Sequence, residues 1–150
     1  MGIGALSAYV YLEFISVVRF TPEHGQVSVA VDTVPGLGPV LVTNKGYALY
    51  MFPPDGRRRV TCTGDCATAW PPLTVPAGTA VSAGPEARAE LLGTAPNPDG
   101  GRVATYDGWP LYTYLGDSDP LRATGHGVDA DGGYWYVMRP SGEVVDTSPH

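Results

Sequence analysis

Gly46-Tyr47-Ala48-Leu49-Tyr50-Met51-Phe52-Pro53-Pro54-Asp55 and Gly108-Trp109-Pro110-Leu111-Tyr112-Thr113-Tyr114-Leu115-Gly116-Asp117 are two versions of one stretch. Both read Gly-x-x-Leu-Tyr-x-aromatic-x-x-Asp, 62 positions apart and without a gap. Self-similarity at one offset marks two related supersecondary units and takes precedence over any local reading. It speaks to architecture more than to activity.

Outward from each copy the pattern is that of strands and turns. Val27, Val29 and Val31 alternate with small or polar residues, as in a half-buried strand. Val40–Thr43, a turn at Asn44-Lys45-Gly46, and Tyr47–Phe52 form a hairpin, which recurs as Val103–Tyr106, Asp107-Gly108 and Trp109–Tyr114. At the same offset Thr105 matches Thr43, and Thr63-Gly64 pairs with Thr124-Gly125 at nearly that offset. Each copy closes on a tryptophan, Trp70 and Trp135, and a last hairpin joins Tyr134–Met138 to Glu143–Val145. Pro85 at the start and Gly93 past the end predict one short helix near 85–92. The expected fold is all-β: two pseudo-repeated antiparallel units forming a compact sandwich or barrel-like domain over 26–148. Repeat one covers about 40–73 and repeat two about 102–138.

Composition agrees with a turn-rich chain. Of 150 residues, 20 are glycine and 15 proline, and only 16% are charged, against the usual quarter. The net charge of −6 is concentrated beyond residue 96. Arg57-Arg58-Arg59 is the single basic run, so nucleic-acid binding is not expected. Residues 1–25 hold the most apolar window, but Glu13 interrupts it and no early Lys or Arg precedes it. It reads as a degraded export signal, a misplaced start or a packing element, without a confident membrane span.

The tandem Leu-Tyr-x-aromatic-x-x-Asp motif carries a family resemblance, together with Cys62-Thr63-Gly64-Asp65-Cys66-Ala67-Thr68-Ala69-Trp70-Pro71-Pro72-Leu73 and Gly133-Tyr134-Trp135-Tyr136-Val137. From about Val27 to Val145 the chain resembles bacterial secreted repeats of unknown function, predicted lipoproteins marked by Tyr-x-(Phe/Trp/Tyr)-x-x-Asp. The resemblance implies an exported, envelope-associated β protein with no assigned activity. Residues 1–24 depart from it, since they contain no cysteine for lipid attachment.

The residues with chemical potential are few. Cys62 and Cys66 suit a structural disulfide, a redox dithiol or half a metal site. Zinc would need two further ligands, and a thioredoxin-type motif has two intervening residues rather than three. The disulfide is the reading carried forward. Tyr50, Phe52, Tyr112 and Tyr114 alternate with Met51 and Thr113, so each pair shares one strand face. They form either a core ladder or a stacking surface for a sugar, peptidoglycan or quinone-like ligand. Asp55 and Asp117 are expected to be buried and to hold backbone N–H groups in the turns after their strands, with a catalytic pair as the alternative. Asp129-Ala130-Asp131-Gly132 lacks the full calcium-loop pattern, and a loop site adding Asp117 and Asp119 is a minor option. No cofactor, metal or catalytic group is assigned. Three readings follow: a non-enzymatic extracytoplasmic protein binding an envelope partner or polymer; a redox or electron-transfer accessory using Cys62 and Cys66; and a hydrolase using Asp55 and Asp117.

Overall fold

The computed structural model describes residues 27–146; the apolar segment 1–25, His24 and His150 lie outside them. The valine alternation forms β1 (Val27–Val34), and Gly36 and Gly38, both with φ near +86°, turn it into β2 (Gly38–Thr43). The two pair antiparallel from Val29↔Thr43 to Val34↔Gly38. β3 (Tyr50–Met51) is short, and α1 (Asp65–Ala69) is the one α-helix among the described residues. β4 (Thr74–Val75), β5 (Val81–Ala83) and β6 (Leu92–Pro96) lead to β7 (Arg102–Tyr106) and β8 (Trp109–Pro110). β9 (Asp129–Ala130), β10 (Gly133–Tyr134) and β11 (Tyr136–Val137) complete the order.

The sheets run β2-β1-β5, β4-β7-β6 with β8 on β7, β11-β3 and β10-β9, and none closes into a barrel. All pairings are antiparallel except β1 with β5. The all-β expectation holds. The two hairpins differ by one residue, however. Thr43 N–H donates to Tyr47 O across a three-residue loop ending in Gly46 (φ 89°), whereas Tyr106 faces Trp109 across Asp107-Gly108. Both of those residues have positive φ, 53° and 82°, the requirement of a two-residue type I′ turn. The strand before the turn is therefore shifted: Thr105 occupies the place of Val42, not of Thr43, each facing Ala48 or Pro110 across its hairpin.

The motif strands are buried on both faces. Tyr50 and Phe52 enter one apolar cluster with Val42, Trp70, Tyr112 and Trp135. Leu49 and Met51 enter a second, with Val29, Leu41, Tyr106, Leu111 and Met138. The period-two alternation of side chains thus feeds two cores from one strand, which is why the motif has almost no polar position.

The helix expected near 85–92 does not form. Glu86 has φ 70°, only a 3-10 turn at Ala89–Leu91 follows, and Leu92 opens β6 against Tyr106. Arg88 N–H donates to the Tyr106 hydroxyl at 2.9 Å, and Leu91 and Leu92 pack on the second cluster. An eight-residue helix is marginal by itself, so sheet pairing and burial prevail.

Candidate functional site

The two motifs meet across a pseudo-two-fold. Tyr50 and Tyr112 exchange backbone hydrogen bonds, N–H to O at 2.8 and 2.9 Å. Their hydroxyls then cross to the other repeat's carboxylate. The Tyr50 hydroxyl donates to Asp117 Oδ2 at 2.6 Å, and the Tyr112 hydroxyl donates to Asp55 Oδ2 at 2.7 Å. The remaining carboxylate oxygens are held within their own repeats. Asp55 Oδ1 accepts from Thr61 N–H (2.9 Å) and the Thr61 hydroxyl (2.6 Å). Asp117 Oδ1 accepts from Thr124 N–H and its hydroxyl at the same distances. Each aspartate also closes a turn with its own N–H, Asp55 onto Phe52 O and Asp117 onto Tyr114 O.

These carboxylates are almost sealed, at 1% exposure for Asp55 and 7% for Asp117. Burial pushes the Asp55 carboxyl above its ordinary range, and the bonds from Thr61, Tyr112 and Cys62 N–H pull against that shift. Burial first, and then the bonded carboxylates, push both tyrosine hydroxyls well above the usual phenol range. The tyrosines therefore stay protonated and donate to the carboxylates. Each hydroxyl also accepts an N–H, from Gly125 at 3.1 Å for Tyr50 and from Cys62 for Tyr112.

Thr61-Cys62 is thus the counterpart of Thr124-Gly125, not Thr63-Gly64 as a near-constant offset suggests. The two threonines escaped the sequence reading because the loops after Asp55 and Asp117 differ in length by one residue. Comparing the repeats with one gap allowed would have found them.

Above this network lies a stack of four rings. Trp70 and Trp135 are parallel within 1° at 4.0 Å; Tyr114 covers Trp70 and Phe52 covers Trp135, each at 4.1 Å. Tyr50 and Tyr112 meet Trp70 and Trp135 edge-on, at 5.4 and 5.1 Å. Tyr50, Phe52 and Tyr112 are buried and Tyr114 is half-buried. The stacking surface for a ligand considered for these four rings is a core instead.

Cys62 and Cys66 form a disulfide with Cα atoms 5.2 Å apart, enclosing the turn into α1. Cys62 is buried and Cys66 half-buried. The reciprocal loops carry one more shared device. Arg58 (φ 60°) donates its N–H to Gly108 O at 2.6 Å, and Leu121 (φ 59°) donates its N–H to Gly46 O at 2.9 Å. In each case a non-glycine residue adopts the left-handed region to cap the other repeat's hairpin. Arg57 lies along Gly108, pairs with Asp107 at 3.1 Å and covers the Trp109 ring.

Asp129 to Gly132 form the β9–β10 hairpin, with Asp131 (φ 60°) and Gly132 (φ 99°) as its two-residue turn. Asp119 faces Arg122 at 3.7 Å, while Asp117 is engaged with Tyr50. Among the described residues no group of three or more His, Cys, Asp or Glu is placed to hold a metal, and no helix is long and apolar enough to cross a membrane.

A family model described as a secreted repeat of unknown function matches residues 33–74 and 93–139. The chain belongs to this family. Comparison with curated proteins and with solved structures yields no match. The two matched segments are the two halves of the pseudo-two-fold, and each contains one copy of the bonded and stacked residues described above: Tyr50, Phe52, Asp55, Thr61 and Trp70 in the first, Tyr112, Tyr114, Asp117, Thr124 and Trp135 in the second.

Proposed function

We propose that this secreted-repeat protein is a non-enzymatic extracytoplasmic module, free or held at the envelope, that binds an envelope partner or polymer. In this reading 26–148 act as one two-repeat unit, and the tandem motif builds the unit rather than performing chemistry. One observation carries the proposal: both motif carboxylates have each oxygen engaged, one by a threonine of their own repeat and one by a tyrosine of the other. A substrate could reach either acid only by displacing bonds that hold the two halves together. Binding is then a property of the outer surface, and the net charge of −6 directs it away from phosphate-rich polymers.

Co-sedimentation of the full chain with purified peptidoglycan tests this, with Asp117→Asn in parallel. Saturable binding by both proteins is expected, with only the melting temperature lower in the variant. A variant that keeps its melting temperature and loses a hydrolytic activity would instead support a hydrolase using Asp55 and Asp117.

The redox alternative draws on the half-buried Cys66 beside the buried Cys62. Equilibration with a graded thiol buffer separates the roles. A structural disulfide in a secreted protein resists reduction, typically below about −300 mV, whereas an exchange partner reduces readily.

A further inference from the structure

The repeats differ most between the threonine that holds the aspartate and the tryptophan of the stack. Repeat one crosses this interval with the Cys62–Cys66 turn and α1. Repeat two crosses it with the β9–β10 hairpin. Trp70 and Trp135 occupy equivalent places, yet Trp70 is flanked by Ala69 and Pro71 and Trp135 by Tyr134 and Tyr136. Tyr136 rests half-buried against the second apolar cluster and pairs with Met51, whereas Tyr134 stands outside both clusters and has no core role.

Their placement is open and rigid. Tyr134 is 51% exposed, and Tyr136 is half-buried beside it with ring centroids 6.4 Å apart and planes inclined by 33°. His126 meets Tyr136 edge-on at 5.8 Å. The intervening Trp135 anchors the backbone: its N–H donates to Val128 O, its carbonyl accepts from Gly127 N–H, and its Nε1 donates to Ala130 O at 3.0 Å. Asp129 lies directly across the ladder from Tyr134, and Asp131 forms the tip of the same hairpin; both are exposed.

Resting on the binding-module reading, we infer that Tyr134 and Tyr136 form a platform for a neutral glycan chain, with Asp129 and Asp131 as acceptors for its hydroxyl or amide groups. Tyrosine offers an apolar face and a polar tip, which matches the C–H face and hydroxyl rim of a pyranose ring. The adjacent carboxylates disfavour a phosphate-bearing polymer. Two rings are also far short of the surface a stable protein interface covers, about 1,200 Å² or more. Because the backbone is already ordered, little conformational freedom is lost on binding.

Titration calorimetry of the full chain with chito-oligosaccharides, cello-oligosaccharides and a polyphosphate chain tests the platform. Saturable binding of at least one neutral oligosaccharide and none of polyphosphate is expected, and which oligosaccharide binds tells an amino-sugar source from a glucan source. Tyr134→Ala, at an exposed site, is expected to keep its melting temperature and weaken binding about tenfold, as loss of a ring-stacking contact implies. Tyr136→Phe should bind as the parent does if the ring face is what matters. Failure of both neutral oligosaccharides, preference for polyphosphate, or binding unchanged by Tyr134→Ala would overturn the platform. Peptidoglycan co-sedimentation that survives Tyr134→Ala would do so too, while leaving the binding-module reading in place.

Discussion

The Trp70 and Trp135 indoles, one from each repeat, lie 4.0 Å apart and within 1° of parallel at the centre of the molecule. Gly125 rests against this stack. A Cβ there would approach Trp70 ring carbons at 2.7 and 2.8 Å and a Tyr114 ring carbon at 2.9 Å. Trp70 and Tyr114 are stacked on each other, so a shift of either ring disturbs the stack. Gly125→Ala is expected to destabilise by about 1–3 kcal/mol, as overpacking does. Gly64→Ala has open space, though its positive φ (61°) adds a cost of conformational origin. Crystal structures of the two variants distinguish these causes: only Gly125→Ala should displace the Trp70 ring.

Removing a carboxylate strands its donors. Asp117→Ala leaves the buried Tyr50 hydroxyl without its acceptor, at about 1–3 kcal/mol, while the Thr124 groups, at an exposed residue, can turn to water. Asp117→Asn keeps one acceptor oxygen and should cost less. In a denaturation double-mutant cycle, Tyr50→Phe with Asp117→Asn should show coupling of about 0.5–3 kcal/mol. Tyr50→Phe with Asp55→Asn, which share no direct bond, should be closer to additive.

The left-handed residues make a contrary prediction. A non-glycine residue in that region costs roughly 1–2 kcal/mol, and glycine relieves it while adding about 0.5–1 kcal/mol of chain entropy. Arg58→Gly and Leu121→Gly are therefore expected to leave the melting temperature unchanged or slightly higher. Gly108→Ala should lower it, because φ is 82° and Arg57 carbons lie at 3.1–3.2 Å from the added methyl.

Acid should loosen the His126 contact. Burial, and then the nearby Arg139, lower the His126 pKa below its ordinary value of 6.5, with Asp146 opposing. Val137 N–H donates to His126 Nδ1 at 3.2 Å, a bond the protonated ring cannot accept. The folded pKa is depressed, so this stabilisation is present above about pH 6.5 and is lost as pH falls through the folded value. Melting curves from pH 8 to 4 should fall more steeply for the parent than for His126→Gln. Asp55 contributes with the opposite sign: its raised pKa favours the fold at low pH and is lost as pH rises through the folded value.

Reduction of Cys62–Cys66 should cost about 2 kcal/mol, since a loop closed over a separation of four residues constrains the unfolded chain only modestly. Thiol titration of the unreduced protein should find no free cysteine.

How far the sequence could be read depended on whether the controlling contact was local. Asp107-Gly108 and Gly46 announced their hairpins because turn chemistry acts over two or three residues. The repeat announced two equivalent halves. It did not say that Tyr50 would bond Asp117 rather than Asp55, because a pseudo-two-fold allows either pairing and only packing chooses. Thr61 was hidden by a one-residue difference in loop length. The region 85–92 misled because its Pro and Gly are genuine helix punctuation, while the Tyr106 hydroxyl and β7 that overrule it come later in the chain.

The crossed hydroxyls also impose an order in time. Tyr50 must wait for Asp117, 67 residues later, and Asp55 for Tyr112, 57 residues later. The leading half cannot complete these bonds while the trailing half is still being made, and contacts of such separation form slowly. The two halves therefore close as one event, and neither repeat holds its hydroxyl–carboxylate bonds alone.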